Sequence, residues 1–296
     1  MPAPDSTATD APPDRKPRDD EIDVHGLTHP GKVRRDNQDH FLICSLRKQV
    51  VARLTSLPDP DHLMADSERL ASLFMVADGV GGAAKGEEAS RVALEAVTQY
   101  VSRSMRCYYA AGSTDKEFFD ALQEGAHQSH GELLRRGEED TDCRGMATTL
   151  TLFLGVWPRG YLLQVGDSRC YLLREGELSQ VTRDQTMAQE MVDAGIMTPA
   201  DVAGTRLEHT LSSSIGGRQT DPKVTRFDLA WGLVLLLCSD GLTRHVPDER
   251  IRDVLRSMTS AKQACEDLLQ EALDGGGSDN ITIVVGRALA RETPEE

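Results

Sequence analysis

The chain has 296 residues, 39% hydrophobic and 27% charged, a balance that suits a soluble globular enzyme better than a disordered chain and allows one large domain or two small ones. Its formal net charge of -15 argues against nucleic acid as the main partner, because nucleic-acid binders carry a basic footprint. No apolar run reaches the length of a membrane span, and six scattered cysteines without a C-x-x-C pair exclude a zinc ribbon or redox motif and fit a reducing, cytoplasmic setting.

Residues 1–21 hold five prolines among charged and small residues. Such a segment cannot bury apolar surface and reads as a disordered tail, and it lacks the apolar centre of a signal peptide. The ordered chain is expected from residue 22. A polar corner, Arg34-Arg35-Asp36-Asn37-Gln38-Asp39, feeds a strand ending near Ile43. Residues 47–69, with Pro58 and Pro60 inside, read as an irregular excursion between strands. Then comes Leu73-Phe74-Met75-Val76-Ala77, a short buried strand that stops on Asp78 and is followed by Gly79, Gly81 and Gly82. A lone Asp-Gly makes a hairpin turn. A carboxylate beside an unshielded backbone carbonyl is also how a hard divalent cation is bound, through oxygen alone.

Two helices follow. Over 87–105 the residues Ala89, Val92, Ala93, Ala96, Val97, Tyr100 and Val101 keep the 3.6-residue rhythm. Over 116–136 a helix opens with the capping box Thr114-x-x-Glu117 and turns Phe119, Leu122, Ala126 and Leu133 inward. His127 and His130 share that helix, but with no third such ligand nearby they read as solvated residues. A polar loop with Asp140 and Asp142 leads to a strand over 146–154, a turn at Trp157-Pro158-Arg159-Gly160, and a strand over 161–165 ending on Gly166-Asp167-Ser168-Arg169. The strand over 170–173 turns at Glu175-Gly176, and these hairpins exclude a simple alternating βαβ protein. Residues 185–222 are glycine-rich around a short helix at 187–194 and read as a flap carrying binding contacts. Leu233 to Cys238 is the most apolar run, a central strand, and it ends on Ser239-Asp240-Gly241, repeating the earlier pattern. Ile251, Val254, Leu255 and Met258 mark a helix, and Ala264, Leu268 and Ala272 another, opened by Ser260-x-x-Gln263. Gly275-Gly276-Gly277-Ser278 delivers Asp279-Asn280 to a strand over 281–285, and residues 288–296 are a polar tail.

Asp39, Asp78, Asp240 and Asp279 thus each border a buried strand. Burying four carboxylates together is costly unless cations neutralise them. If the strand ends converge, two Mg²⁺ or Mn²⁺ ions sharing a bridging water are the physical answer. Such ions make hydroxide available at neutral pH and stabilise charge on a phosphoryl oxygen. Arg34 would hold the remaining phosphate oxygens in its planar fork. This is phosphoester hydrolysis without a covalent intermediate, and no Gly-x-Ser-x-Gly elbow or P-loop competes for the role.

Seven stretches then stand in family order: Arg34-x-x-Asn37-Gln38-Asp39, Ala77-Asp78-Gly79-Val80-Gly81-Gly82, Gly86-Glu87-Glu88-Ala89-Ser90, Met146-Ala147-Thr148-Thr149-Leu150, Gly166-Asp167-Ser168-Arg169, Ser239-Asp240-Gly241-Leu242 and Asp279-Asn280-Ile281-Thr282. Over residues 22–287 the chain resembles the bacterial metal-dependent protein phosphatases, the PPM family of type 2C serine/threonine phosphatases. The resemblance implies an α+β fold, a four-layer α-β-β-α sandwich of two antiparallel sheets packed face to face and flanked by helix pairs. It implies a phosphatase domain over 22–287 with a flap around 185–222. It implies that Asp78 bridges two Mg²⁺ or Mn²⁺ ions, with the Gly79 carbonyl on one of them, that Asp39, Asp240 and Asp279 complete the pair, and that Arg34 binds the substrate phosphate. Asp39, Asp78 and Asp240 would act through the bridging water. Bacterial members often hold a third, weaker ion through an aspartate before the Met-Gly-Thr-Thr strand. Asp142 stands there, with an ordinary loop residue as the alternative. Asp167 and Asp184 are read as structural, Asp167 holding the Gly166 turn.

The sequence also departs from the family. Val80 and Ala83 occupy positions where members often carry a proton-donating histidine, Ala147 stands where glycine is usual, and Gln185 where histidine follows Thr-x-Asp. The expected function is hydrolysis of phosphoserine and phosphothreonine in proteins by a cytoplasmic monomer. Serine/threonine kinases and their substrates are the partners the family suggests. A non-catalytic phosphoprotein-binding module on the same fold is the alternative, opposed by the complete carboxylate set. A two-metal hydrolase of small phosphoesters or nucleic acid is a third reading, and the acidic charge speaks against nucleic acid.

Overall fold

The computed structural model describes residues 15–48, 68–80, 83–104 and 113–290. Eleven strands alternate with seven helices among them. The strands are β1 (Ile22–His29), β2 (Asp39–Lys48), β3 (Glu68–Val80), β4 (Ala147–Thr148), β5 (Leu150–Val156), β6 (Arg159–Val165), β7 (Arg169–Arg174), β8 (Glu177–Gln180), β9 (Lys223–Asp228), β10 (Val234–Cys238) and β11 (Ile281–Ala288). The helices are α1 (Ala83–Arg103), α2 (Asp115–Glu139), α3 (Met187–Asp193), α4 (Pro199–Val202), α5 (Asp240–Thr243), α6 (Asp248–Ser257) and α7 (Ala261–Asp274). One sheet runs β1-β11-β10-β7-β8 and the other β2-β3-β5-β6-β9, with β4 added to the end of β3. Every described strand pair is antiparallel.

Strand alternation builds the layers. Phe74 and Val76 of β3 point between the sheets, where they meet Phe153, Leu162, Cys170, Leu172, Leu235, Leu237 and Val284. Their neighbours Leu73, Met75 and Ala77 point outward, against Ala89, Val92, Val97, Leu122 and Leu133 of α1 and α2. In the other sheet Tyr171, Leu236, Cys238 and Ile283 face Ile251, Leu255, Cys265 and Leu268 of α6 and α7. Both faces of the central strands are therefore covered, which is why their sequences are continuous apolar runs rather than alternating ones. The result is the α-β-β-α sandwich. Among the described residues no helix is long and apolar enough to cross a membrane.

Local signals match local structure. Thr114 caps α2: its backbone N–H donates to Glu117 Oε2 at 2.7 Å, and its hydroxyl accepts from Glu117 N–H at 3.4 Å. At α7 the Ser260 hydroxyl accepts from Gln263 N–H, but Gln263 Oε1 reaches back to Thr259 rather than to Ser260. Three features differ from expectation. The strand carrying Asp78 does not stop there; β3 continues through Gly79 and Val80, which pair with Thr148 and Ala147. β9 is an edge strand whose mostly exposed residues give little hydrophobic pattern to read. The placed chain also starts before residue 22: Glu21 is buried, holds the Arg15 guanidinium in two hydrogen bonds of 2.7 Å, and accepts the Arg18 N–H. Residues 49–67 of the expected excursion lie outside the described residues, while β2 and β3 account for its two ends.

Candidate metal centre

Four strand ends meet at one end of the sandwich. β2 begins on Asp39, and antiparallel pairing sets Asp39 directly across from Asp78 on β3. In the other sheet β10 ends at Cys238, so Ser239 stands just before α5 and Asp240 is the first residue of that helix. β11 runs alongside with Cys238 opposite Ile283, placing Asp279 and Asn280 at the same edge. The two sheets are tied across this edge. Ser239 Oγ and Thr282 Oγ1 both donate to Asp39 Oδ2, each at 2.7 Å. Asn280 closes the third side: its side-chain amide donates to the carbonyls of Pro30 and Asp36 and its Oδ1 accepts from Gln38 N–H.

The Asp-Gly pairs are not turns. Neither Gly79 nor Gly241 has a positive φ. A Cβ on Gly79 would lie 2.0 Å from the Gly86 carbonyl oxygen, and one on Gly241 would lie 1.8 Å from that of Asn280. Glycine is required there because backbones cross in contact. The first crossing seats the start of α1 on the end of β3, and the second seats α5 on the start of β11.

The electrostatics show one shared field. Asp39 is only 3% exposed, and burial, with Asp240 and Asp279 nearby, pushes its carboxyl up to about 7 against the pull of Ser239 and Thr282. Asp78 is raised well above the usual carboxylate range by burial and then by Asp39 and Asp240. Asp240 is raised by burial, with the Arg244 guanidinium opposing. Two carboxylate oxygens, Asp39 Oδ1 and Asp240 Oδ1, are buried without a hydrogen-bond partner. Orphaned buried acceptors of this kind need an explanation. A hard cation coordinated through oxygen supplies one, so the donor set fits divalent magnesium or manganese.

The ligand cage is not closed on its own. Among the described residues no three His, Cys, Asp or Glu side chains stand in ligating arrangement. Guanidiniums hold the carboxylates instead. Arg34 grips Asp279 with Nε and Nη2, each at 2.9 Å, so here it sits on a carboxylate. Arg244 bridges Asp279, at 3.0 Å, and Asp240.

The remaining expected residues are distributed as follows. Asp142 is exposed in a 3-10 turn before β4, and its N–H donates to Asp140 Oδ1 at 2.8 Å. Asp184 pairs with Arg169 through both oxygens, a structural role as expected. The Gly166 turn is held by Gln185 and Gln164 side-chain amides; buried Asp167 bonds its own backbone, and its carboxyl is raised by burial and by Asp240. His127 is exposed, but His130 is not merely solvated: its Nδ1 accepts from Gly216 N–H at 3.0 Å and lies 2.7 Å from Thr220 Oγ1, pinning the base of the flap region to α2. Sequence reasoning missed Ser239 and Thr282 as partners of Asp39, and Arg244 altogether. The i,i+4 spacing of Asp240 and Arg244 on a helix was the available signal. Beside the carboxylates opens a cleft of about 710 Å³ between α5 and the 185–222 region, lined by Asp167, Asp184, His209, Asp240, Arg244 and His245.

Residues 37–275 match the family described as protein phosphatase 2C. Serine/threonine protein phosphatase PstP of Mycobacterium tuberculosis is 35% identical over 243 residues, 81% of this chain but only 45% of PstP, so the chain spans about half the length of that relative. Serine/threonine phosphatase stp of Listeria welshimeri is 30% identical over 216 residues, covering 72% of this chain and 83% of that protein. A crystal structure of the PstP catalytic domain in complex with two manganese ions superposes with a TM-score of 0.69 at 30% identity, covering 91% of this chain and 99% of that one. This chain belongs to the protein phosphatase 2C family.

Proposed function

We propose that the chain is a metal-dependent protein serine/threonine phosphatase, a phosphoric monoester hydrolase acting on phosphoserine and phosphothreonine. The observation that carries this reading is the meeting of Asp39, Asp78, Asp240 and Asp279 at one sandwich edge with two carboxylate oxygens left unpartnered. Asp78 and the Gly79 carbonyl, with Asp39, Asp240 and Asp279, would hold two Mg²⁺ or Mn²⁺ ions. Bound there, divalent ions supply an activated water at neutral pH and positive charge for phosphoryl oxygens. The chain's own residues do the rest. Ser239 and Thr282 fix Asp39 through Oδ2 and so leave its Oδ1 aimed for ligation. Arg34, exposed at the rim and already on Asp279, offers its planar fork to the phosphate. Asp142, exposed ahead of β4, is the residue on which a third, weaker ion would rest.

The substrates in this reading are phosphorylated proteins, with serine/threonine kinases among them, and the protein works as a cytoplasmic monomer. The five described cysteines are all unpaired, which suits a reducing compartment. The test is hydrolysis of phosphoserine, phosphothreonine and phosphotyrosine peptides with manganese, with and without chelator. Metal-dependent turnover restricted to the first two is expected. Absence of metal-dependent turnover would leave the non-catalytic binding module, and preference for small aryl phosphates would point to a small-phosphoester hydrolase.

A further inference from the structure

Arg244 is the least expected residue of the site. It lies one turn after Asp240, lines the cleft beside Asp167 and Asp240, and its side chain is 27% exposed. Its guanidinium bonds Asp279 Oδ2 through Nη1 and Asp240 Oδ2 through Nη2, and it has no other described side-chain partner. Asp279 therefore carries two guanidiniums, since Arg34 already holds both of its oxygens. Only one of the two carboxylates in Arg244's grip is shared with Arg34, so Arg244 is what neutralises Asp240.

Guanidiniums already hold both oxygens of Asp279 and Oδ2 of Asp240, and a guanidinium and a divalent cation on one carboxylate repel each other. Ions on Asp240 and Asp279 therefore weaken the hold of the Arg244 head on both carboxylates. The head is tethered to α5 at the cleft wall, so it stays where an anionic ligand of the ions would sit. Five N–H donors in a rigid fork then match phosphoryl oxygens, as they matched carboxylates before. We propose that Arg244 is a resident counter-ion that competes with divalent cations for Asp240 and Asp279 and, once displaced, binds the phosphoryl group of the substrate beside Arg34; this rests on the metal-dependent phosphatase reading.

Two calorimetric titrations test it: manganese into chelator-stripped protein, then inorganic phosphate into the manganese-loaded protein. They are run for wild type, Arg244→Ala and Arg244→Lys. For Arg244→Ala manganese should bind about tenfold tighter, since a competing positive charge is gone. Phosphate should bind roughly tenfold or more weakly, and KM for a phosphothreonine peptide should rise in step. Lysine keeps the charge without the fork, so manganese affinity should stay within about threefold of wild type while phosphate affinity still falls. A residue that merely shaped the site would give the opposite sign for manganese. Equal or weaker manganese binding in Arg244→Ala, or unchanged phosphate binding in either variant, overturns the proposal. Should the alanine variant fold poorly, the lysine variant decides by its phosphate affinity alone. Neither titration needs turnover: wild-type protein that binds both ligands yet hydrolyses no phosphopeptide would remove the phosphatase reading and leave the binding roles of Arg244 intact.

Discussion

Asp78 shows at the scale of one residue how function is set against stability. Its carboxylate faces Asp39 across the strand pair and feels Asp240, Asp167 and Asp279 as well. Burial and the neighbouring carboxylates disfavour its charged form, so the fold would be better without an acid at this position. Asp78→Asn keeps the shape and removes the charge. It should stabilise the chelator-treated protein by on the order of 1 kcal/mol at neutral pH, as removing poorly compensated buried charge often does, and it should abolish manganese-dependent hydrolysis. Denaturant unfolding in chelator reads the first effect and a phosphopeptide assay the second. A variant less stable than wild type in chelator would mean that Asp78 is already well compensated by the protein. The carboxylates were legible as residues because each borders an apolar run. Their partners were not. Ser239 and Thr282 lie 43 positions apart in the chain and both donate to Asp39 Oδ2, a convergence that only strand pairing creates.

At the scale of elements, the site depends on where short helices are seated. Gly241→Ala would drive a methyl into the Asn280 carbonyl, 1.8 Å away, and lift α5 from the start of β11. A loss of about 3 kcal/mol is expected, at the upper end of overpacking costs, together with weakened manganese binding as Asp240 leaves Asp279. Wild-type values for the unfolding midpoint and for manganese affinity would show that α5 is not seated by this contact. The 185–222 region is held differently, by the His130 ring on Gly216 and Thr220. Burial, with His127 adding, holds the His130 pKa below its ordinary value. The folded protein thus binds fewer protons than the unfolded chain near and below about pH 6.5. Its contribution is full above that pH and is lost as the pH falls. Hydrogen exchange at Gly216 should therefore accelerate between about pH 7.5 and pH 5.5 relative to intrinsic rates, and His130→Gln should remove that dependence. An identical pH response in the variant would assign the change to another group. The helices were plain from their 3.6-residue rhythm and the Thr114 box. The seating of α5 was not, because a glycine after an aspartate looks the same in sequence whether it turns or touches.

At the scale of the whole molecule, one edge of the sandwich gathers four carboxylates, and two arginines pair with Asp240 and Asp279 alone among them. Divalent ions held by the folded edge and not by the unfolded chain would stabilise the fold. Manganese at about a hundredfold above its dissociation constant should add about 2.7 kcal/mol to unfolding, seen as a raised Tm, and Asp78→Asn should lose the increment. An unchanged wild-type Tm in saturating manganese would show that the edge takes no ion.

The sequence by itself determined most of the strands, the capped helices, the acidic residues that border apolar runs and the family to which the chain belongs. Each of these is a local pattern: a run of apolar residues, a cap three positions from its partner, a short motif. Only the tertiary structure decided that Asp-Gly marks backbone crossing rather than turning, that Asp167 joins the acidic edge, and that Arg244 occupies it. Those outcomes depend on contacts between segments far apart in the chain. Register and sheet packing create such contacts, and no local stretch of sequence encodes them.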